Sequence, residues 1–331
     1  MPLKANPYYQ GPESDHFDGL RFFNPDGIAP LGLKDVIRWN LKETRARWPK
    51  HLPLPTPARP AARVNGSDLR VTMIGHASML IQVAGLNILT DPVWSDRASP
   101  MRFAGPKRVI APGIAFDDLP KIDVVLVTHN HYDHLDLKTL QRLAEAFDPL
   151  FITPLGNDTI MRPSVQNSRI ATLDWEESRS FEGITFTAEP CHHWSARGLR
   201  DRSMALWAAF VLETPAGLIY HIGDTGFHGG RNYRAIVQKY GPARLAILPI
   251  GAYEPRWFME AQHQNPAEAV EGFRLLGAAH AIGHHFGTFQ LTNEAINAPV
   301  DHLAEALEAA EIEATRFRPM AAGEMFDVPT M

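Results

Sequence analysis

Beyond residue 64 the chain alternates short apolar runs, rich in β-branched residues, with polar turns. Runs at 69–74, 78–83, 86–90, 122–128, 150–153, 184–188, 206–212, 218–222 and 245–250 all have strand length. Helical spacing is rarer. Residues 135–146 place apolar side chains three and four apart, and Leu303 and Leu307 pair within an Ala/Glu-rich stretch around 305–314. Asn265-Pro266-Ala267-Glu268 supplies an N-cap, a first-turn proline and a capping-box glutamate. Closely spaced early strands with helices interposed later predict sheets covered by helices and not a regular βαβ alternation. The chemistry is then expected where loops leave the strand ends.

The N-terminal pattern differs. Pro49, Pro53, Pro55, Pro57 and Pro60 exclude helix or central strand, so an extended strap joins an arm, residues 1–64, to a single domain over 65–331. Within the arm, Leu33, Val36, Ile37, Leu41 and Trp48 fall on one helical stripe, with Arg38, Trp39, Lys42 and Arg45 opposite. Residues 31–50 carry +4 while the remainder carries −9. A helix docked on the core with a solvated basic face is the commoner outcome of such a pattern, and an outward tryptophan among basic side chains is also what an interfacial lipid contact looks like. The first 30 residues hold no apolar run of signal-peptide length, and no stretch approaches a membrane span. A cytoplasmic location is the default expectation, with peripheral membrane contact left open.

Composition narrows the chemistry. The net charge of −5 with 45% apolar residues fits a globular chain and lacks the positive excess of a nucleic-acid binder. Fifteen histidines accompany one cysteine, Cys191, which excludes an internal disulfide framework and multi-cysteine zinc modules. Cys191 reads as a small buried residue. Any metal must be held by imidazole and carboxylate.

The apolar run at 124–127 delivers the chain into His129-Asn130-His131-Tyr132-Asp133-His134. Side chains two apart at a strand end point the same way, so His129 and His131 can share one ion, while Asp133 and His134 can face a second. Further donors follow in His192-His193-Trp194, Gly223-Asp224-Thr225 and Gly283-His284-His285-Phe286. Spacing alone leaves His192 or His193, and His284 or His285, as alternatives.

The order HxHxDH, His, Asp, His resembles the metallo-β-lactamase fold hydrolases, and longer blocks narrow the resemblance. Gly75-His76-Ala77-Ser78, Thr90-Asp91-Pro92-Val93-Trp94, Gly105-Pro106-Lys107-Arg108, Gly251-Ala252-Tyr253-Glu254-Pro255-Arg256-Trp257-Phe258-Met259 and His285-Phe286-Gly287-Thr288 look like N-acyl-phosphatidylethanolamine-hydrolysing phospholipase D and its bacterial relatives. The similarity runs from about residue 69 to 324; residues 1–64 match weakly, through His16-Phe17-Asp18-Gly19 and Phe22-Phe23-Asn24-Pro25. The resemblance implies an α/β fold, an αββα sandwich of two mixed sheets flanked by helices. It also implies that His129, His131 and His193 hold one metal, that Asp133, His134 and His285 hold the other, and that Asp224 bridges. Trp194 and Phe286, each following a ligand in the family pattern, select His193 and His285.

Two divalent ions about 3.5 to 4 Å apart lower the pKa of a shared water toward 7, and that hydroxide attacks a phosphodiester in line. Asp133 and Asp224 are thus the expected catalytic carboxylates. Zinc is the first choice for such ligands, with manganese, iron and cobalt as alternatives. Asp91 is expected to accept a hydrogen bond from the free nitrogen of a ligating histidine. His76 is expected beside the metals or in the core, and His263 at the pocket rim or in a helix-capping loop. Arg97, Lys107, Arg108 and Arg256 are candidates to neutralise phosphate, and Tyr253, Trp257, Phe258 and Met259 to line an acyl channel. The expected reaction is phospholipase D-type cleavage of an N-acylated or related phospholipid. The alternatives are a same-fold lactonase or other metal-dependent hydrolase and, last, a non-catalytic scaffold; pairing of two chains into a homodimer is left open.

Overall fold

The computed structural model describes residues 5–331, the side chain of Leu33 excepted, so the first four residues of the expected arm lie outside it. After helix α1 (Leu33–Lys42) the chain builds β1 (Leu69–Gly75), β2 (Ser78–Val83), β3 (Leu86–Thr90) and β4 (Val124–Leu126). Next come α2 (Leu137–Phe147), β5 (Leu150–Pro154), α3 (Asn157–Met161) and β6 (Ile170–Leu173). The second half runs β7 (Ser178–Phe181), β8 (Ile184–Glu189), β9 (Ala209–Thr214), β10 (Gly217–His221), α4 (Arg231–Tyr240), β11 (Leu245–Pro249), α5 (Arg256–Met259), α6 (Pro266–Leu276), β12 (His280–His284), α7 (Ala298–Ala309), β13 (Phe317–Pro319) and β14 (Met325–Asp327).

These strands form two mixed seven-stranded sheets, ordered β14-β1-β2-β3-β4-β5-β6 and β13-β12-β11-β10-β9-β8-β7. Apolar side chains from both, among them Val71, Ile81, Ile88, Phe186, Phe210 and Ile247, make the layer between the sheets. The outer face of the first sheet packs on Leu140 and Leu143 of α2, and that of the second on Tyr233, Phe273 and Leu303 from α4, α6 and α7. Helix, sheet, sheet, helix is therefore the observed layering, as expected. Strands buried on both faces read as continuous apolar runs and were legible for that reason. The strands at 170–173, 178–181 and 280–284 were not: Ser178–Phe181 is mostly exposed and polar, and His280–His284 begins and ends on histidine.

Two predicted strands are shorter than their apolar runs. Thr128 leaves the ladder after β4 because its backbone N–H and hydroxyl both donate to Asp91, at 2.7 Å each. Residues 206–208 likewise stand outside β9, with Leu206 N–H bonded to Leu155 and Ala208 N–H to Thr128. In the first case a side-chain carboxylate takes the place of the sheet partner, and in the second the backbone carbonyls of Leu155 and Thr128 do.

The arm helix is shorter than its hydrophobic stripe and faces the other way. Glu43 is extended, so Arg45 and Trp48 lie beyond the helix. Trp39 is buried, donating its indole N–H to Asn293 at 2.9 Å and packing on Phe258, whereas Ile37 and Leu41 are 51% and 81% exposed. A large indole that finds both an apolar neighbour and an acceptor displaces two aliphatic side chains from the inward position. The outward tryptophan is thus corrected.

The Asn265 cap matches its pattern fully: its side chain accepts from Glu268 N–H at 2.8 Å and Glu268 accepts from Asn265 N–H at 2.8 Å. Replacing Asn265 by alanine should destabilise the fold by about 1 kcal/mol, read as a lower urea midpoint at unchanged slope. An unchanged midpoint would mean the box contributes nothing.

Candidate metal centre

Loops leaving one end of both sheets bring the predicted donors together. His129, His131, Asp133 and His134 follow β4; His193 follows β8; Asp224 follows β10; His285 follows β12. All but His131 are buried. Three ring nitrogens converge first: His131 Nδ1 lies 2.9 Å from His129 Nε2 and 3.3 Å from His193 Nε2. Tetrahedral coordination at about 2.05 Å places nitrogens roughly 3.3 Å apart, so this spacing fits one ion. The second convergence surrounds a carboxylate. Asp224 Oδ2 lies 3.0 Å from His285 Nε2, 3.2 Å from His134 Nε2 and 3.8 Å from His193 Nε2, and Asp133 Oδ2 lies 3.3 Å from His285 Nε2. Asp224 alone reaches both groups.

Tautomers are set from outside. His134 Nδ1–H donates to Asp91 at 2.7 Å, His193 Nδ1–H to the Gln262 carbonyl at 3.1 Å, and His129 Nδ1–H to the Thr128 hydroxyl at 3.0 Å, because that hydroxyl's own proton goes to Asp91. In His129 and His193 this leaves Nε2 with its lone pair turned into the site, while His134 turns Nε2 toward Asp224. Lone pairs aimed at one another in a buried site repel unless a cation lies between them. Further buried atoms there have no hydrogen-bond partner: Asp224 Oδ1, His134 Nε2 and His285 Nε2. The residues present fit two divalent ions.

The two groups differ in charge. Burial, followed by the facing His193, pushes His131 down to about 3, burial brings His193 to about 3, and His129 falls well below its usual range, again chiefly by burial. That trio is neutral. Burial opposes charge on His285 too, but Asp224 and Asp133 outweigh it and lift the imidazole to about 9; Asp224, Asp133 and Asp91 likewise hold His134 well above its usual value. Asp133 and Asp224 stay ionised although burial opposes it, held down by these histidines.

The other candidates separate clearly. His76 Nε2 donates to Asp133 at 2.8 Å and its ring centroid is 4.1 Å from that of His285, so it touches the ligand set. Its φ of 60° places it in the left-handed region after Gly75. His263 is buried in the same cavity, 3.9 Å from Asp224 Oδ2, with Nδ1 unpartnered. Burial pushes it to about 3, so it is neutral. His192 turns away to stack on His228, and His284 packs on the buried His221. Cys191 is buried, and burial pushes its thiol well up.

Four of the expected substrate contacts are engaged elsewhere in the structure. Arg256 is spent on Glu268, at 2.8 and 3.0 Å, and on the His263 carbonyl, because its short helix packs against the α6 cap. Tyr253 is buried and bonds His302 of α7. Arg108 is buried over Phe289 with a guanidinium nitrogen on the Val93 carbonyl. Trp257 bonds Glu43 beneath Arg38. Phe258 and Met259 do line the cavity, which measures about 360 Å3 and also takes Pro30, Leu31, Val36, Trp39, Trp194 and Leu291. Sequence reasoning missed the arm's share in this wall. It also missed Arg197, which stacks on Tyr132 and donates to the Asn130 and Leu135 carbonyls, bracing the HxHxDH loop from a distant loop.

The fold and site together define a class. A Beta-lactamase superfamily domain model matches residues 86–286, and the chain belongs to the metallo-β-lactamase superfamily of metal-dependent hydrolases. Within it, the chain is 35% identical over 334 residues to N-acyl-phosphatidylethanolamine-hydrolyzing phospholipase D 1 of Caenorhabditis elegans, covering 94% of this chain and 92% of that one. A metal-dependent hydrolase of Rubrobacter xylanophilus is 30% identical over 66% of this chain and 82% of its own. Isothiocyanate hydrolase from Delia radicum gut bacteria shares the fold at TM-score 0.61 and 20% identity, over 78% of this chain and 99% of that one.

Metal uptake should expel protons from the Asp133/His134/His285 group, because a ligating imidazole must be neutral while His285 stays protonated up to about 9. Affinity for that ion should rise by about tenfold per pH unit per proton expelled between pH 6 and 9, while the neutral trio binds with little pH dependence. Calorimetry in buffers of different ionisation heat reads the protons released; no buffer dependence would refute this. Asp91→Asn, which loosens His134 directly and His129 through Thr128, should weaken metal binding by about 10- to 100-fold in both donor groups.

Proposed function

We propose that this hydrolase carries two divalent ions, zinc first among them, and cleaves a phosphodiester in phospholipase D fashion, releasing phosphatidic acid from N-acyl-phosphatidylethanolamine or a related phospholipid. One observation carries the reading: Asp224 sits between two converging donor groups at the floor of an apolar-walled cavity. The similarity to the worm phospholipase D over nearly the whole chain supports the substrate class. Bound divalent ions supply Lewis acidity and a water acidic enough to ionise near neutral pH.

The protein's own residues then have distinct tasks. Asp224 holds the two ligand groups at one carboxylate, and Asp133, steadied by His76, keeps its oxygen on the His285 side. His263, neutral and unpartnered, presents a ring nitrogen to the space above Asp224 and can hydrogen-bond a phosphoryl oxygen. Val36, Trp39, Trp194, Phe258, Met259 and Leu291 exclude water and receive an acyl chain.

A membrane-facing mouth accompanies this reading. Segments that wall the cavity also carry apolar side chains outward: Ile37 and Leu41 beside Val36 and Trp39, Phe103 in the loop beyond Ala98, and Leu199 beside Arg202. Among the described residues no helix is long and apolar enough to cross a membrane, so contact would be peripheral.

Metal content should approach two ions per chain, and N-acyl-phosphatidylethanolamine turnover should vanish on chelation and return with zinc. Chelator-sensitive lactone cleavage without phosphodiester turnover would overturn the proposal. Asp224→Ala should abolish turnover with the fold retained. His263→Ala should cut kcat about a hundredfold at unchanged metal content. Leu41→Ser with Phe103→Ser should reduce co-sedimentation with phospholipid vesicles while turnover of a short-chain, dispersed substrate persists.

A further inference from the structure

Residues 190–208 contain neither helix nor strand, so no ladder dictates where His193 stands, in contrast to His285 at the end of β12. Thr225 and Gly226 hold the backbone of His192 at 3.0 and 2.9 Å, and the further support of His193 comes from the arm. Asn24 Nδ2 donates to the His193 carbonyl at 2.9 Å, and Asn24 Oδ1 accepts from the indole N–H of the buried Trp207 at 3.3 Å; that indole also donates to the Cys191 carbonyl at 3.0 Å. The amide is therefore held at both ends. On the other flank, the Ile28 carbonyl accepts from Gln262 Nε2 at 3.0 Å, and the Gln262 carbonyl takes the Nδ1–H of His193. Ile28 N–H lies 3.3 Å from His192 Nε2, and a Cβ on Gly27 would stand 2.3 Å from the His192 ring, so only glycine lets the arm approach this closely.

The clamp has a fixed base. Phe17 and Phe22 are buried against each other at 4.6 Å between centroids and join the cluster that holds Trp207 and Cys191. Phe22 N–H donates to Ser203 at 2.7 Å. All of these arm residues lie outside the segment matched by the superfamily domain.

We propose that residues 24–28 form a clamp on the His193 side of the metal centre, with Asn24 as its positioning residue. The clamp sets the imidazole that completes the three-histidine group, so one ion position depends on the arm and the other does not. This rests on the two-ion reading above.

The test is a zinc titration of the full chain against a chromophoric chelator, with metal content measured in parallel, for the wild type, Asn24→Ala, Asn24→Asp, Gly27→Ala and Asp91→Asn. Asn24→Ala and Asn24→Asp should each weaken one of the two binding steps by about tenfold or more and leave the other unchanged, with the Tm of the metal-free protein preserved. Asp91→Asn, acting through His134 and, by way of the Thr128 hydroxyl, through His129, should weaken both steps, in contrast to the one-step loss of the Asn24 variants. Cobalt loaded into the wild type and Asn24→Ala should show an altered visible band from one site only. Gly27→Ala, pushing on the same loop from the other flank, should reproduce the selective loss. In the Asn24 variants, equal weakening of both steps, a loss confined to metal-free stability, or two unchanged steps would overturn the clamp. A wild type that binds a single ion would overturn the two-ion reading instead, and the clamp would then stand only if that ion's affinity falls in Asn24→Ala.

Discussion

Five imidazoles and two carboxylates are held together, largely out of water, with their nitrogens and oxygens converging, and the rest of the molecule is arranged to tolerate that. Unpaired buried polar groups each cost on the order of 1–3 kcal/mol, so a cluster of them persists only where the framework is rigid and something else compensates. The framework is the double sheet, whose fully buried strands end at this cluster. Part of the compensation is internal: two protonated histidines facing two ionised aspartates offset each other.

The same constraint explains why the supporting bonds are so local and so polar. Asp91 alone receives three hydrogen bonds, two from Thr128 and one from His134, and thereby fixes one ligand directly and a second, His129, through the Thr128 hydroxyl. Its left-handed backbone, φ 37°, is a conformation that short polar side chains tolerate better than most. Removing Asp91 therefore touches two ligands, while removing Asn24 touches one. The sheets deliver the loops to one end of the sandwich, and these few side chains set the final ångström.

The sequence made the ligands legible because donors cluster at strand ends in a fixed order, a pattern local enough to see without a structure. Buried strands were legible for the same reason, and the α6 cap because its whole signal lies in four residues. What stayed hidden depends on contacts across long separations: Asn24 to His193, Arg197 to the HxHxDH loop, Arg256 to Glu268. Tyr253 and Arg256 sit in a family-like block, yet the block's register turns them toward α7 and α6 and not toward the cavity. The α1 stripe misled because periodicity counts apolar positions equally, whereas packing chose the one side chain, Trp39, with both area and an N–H to satisfy.

That reversal has an energetic consequence for the mouth of the cavity. With Val36 and Trp39 inside, α1 leaves Ile37 and Leu41 in water, and Phe103 and Leu199 stand exposed on neighbouring cavity-wall segments. Each such side chain gains about 1.5–3 kcal/mol when fully buried, so partial immersion of four in a lipid interface yields several kcal/mol before side-chain freedom is lost. Under the proposed peripheral contact, that would suffice for reversible adsorption but not for permanent anchoring, and the basic side chains of residues 31–50 would add about 1 kcal/mol per charge near an anionic surface. The proposed phospholipid substrate would need that balance, because acyl chains left mostly in the bilayer while the headgroup enters a cavity of about 360 Å3 would require the protein to sit at the interface during turnover and to leave afterwards.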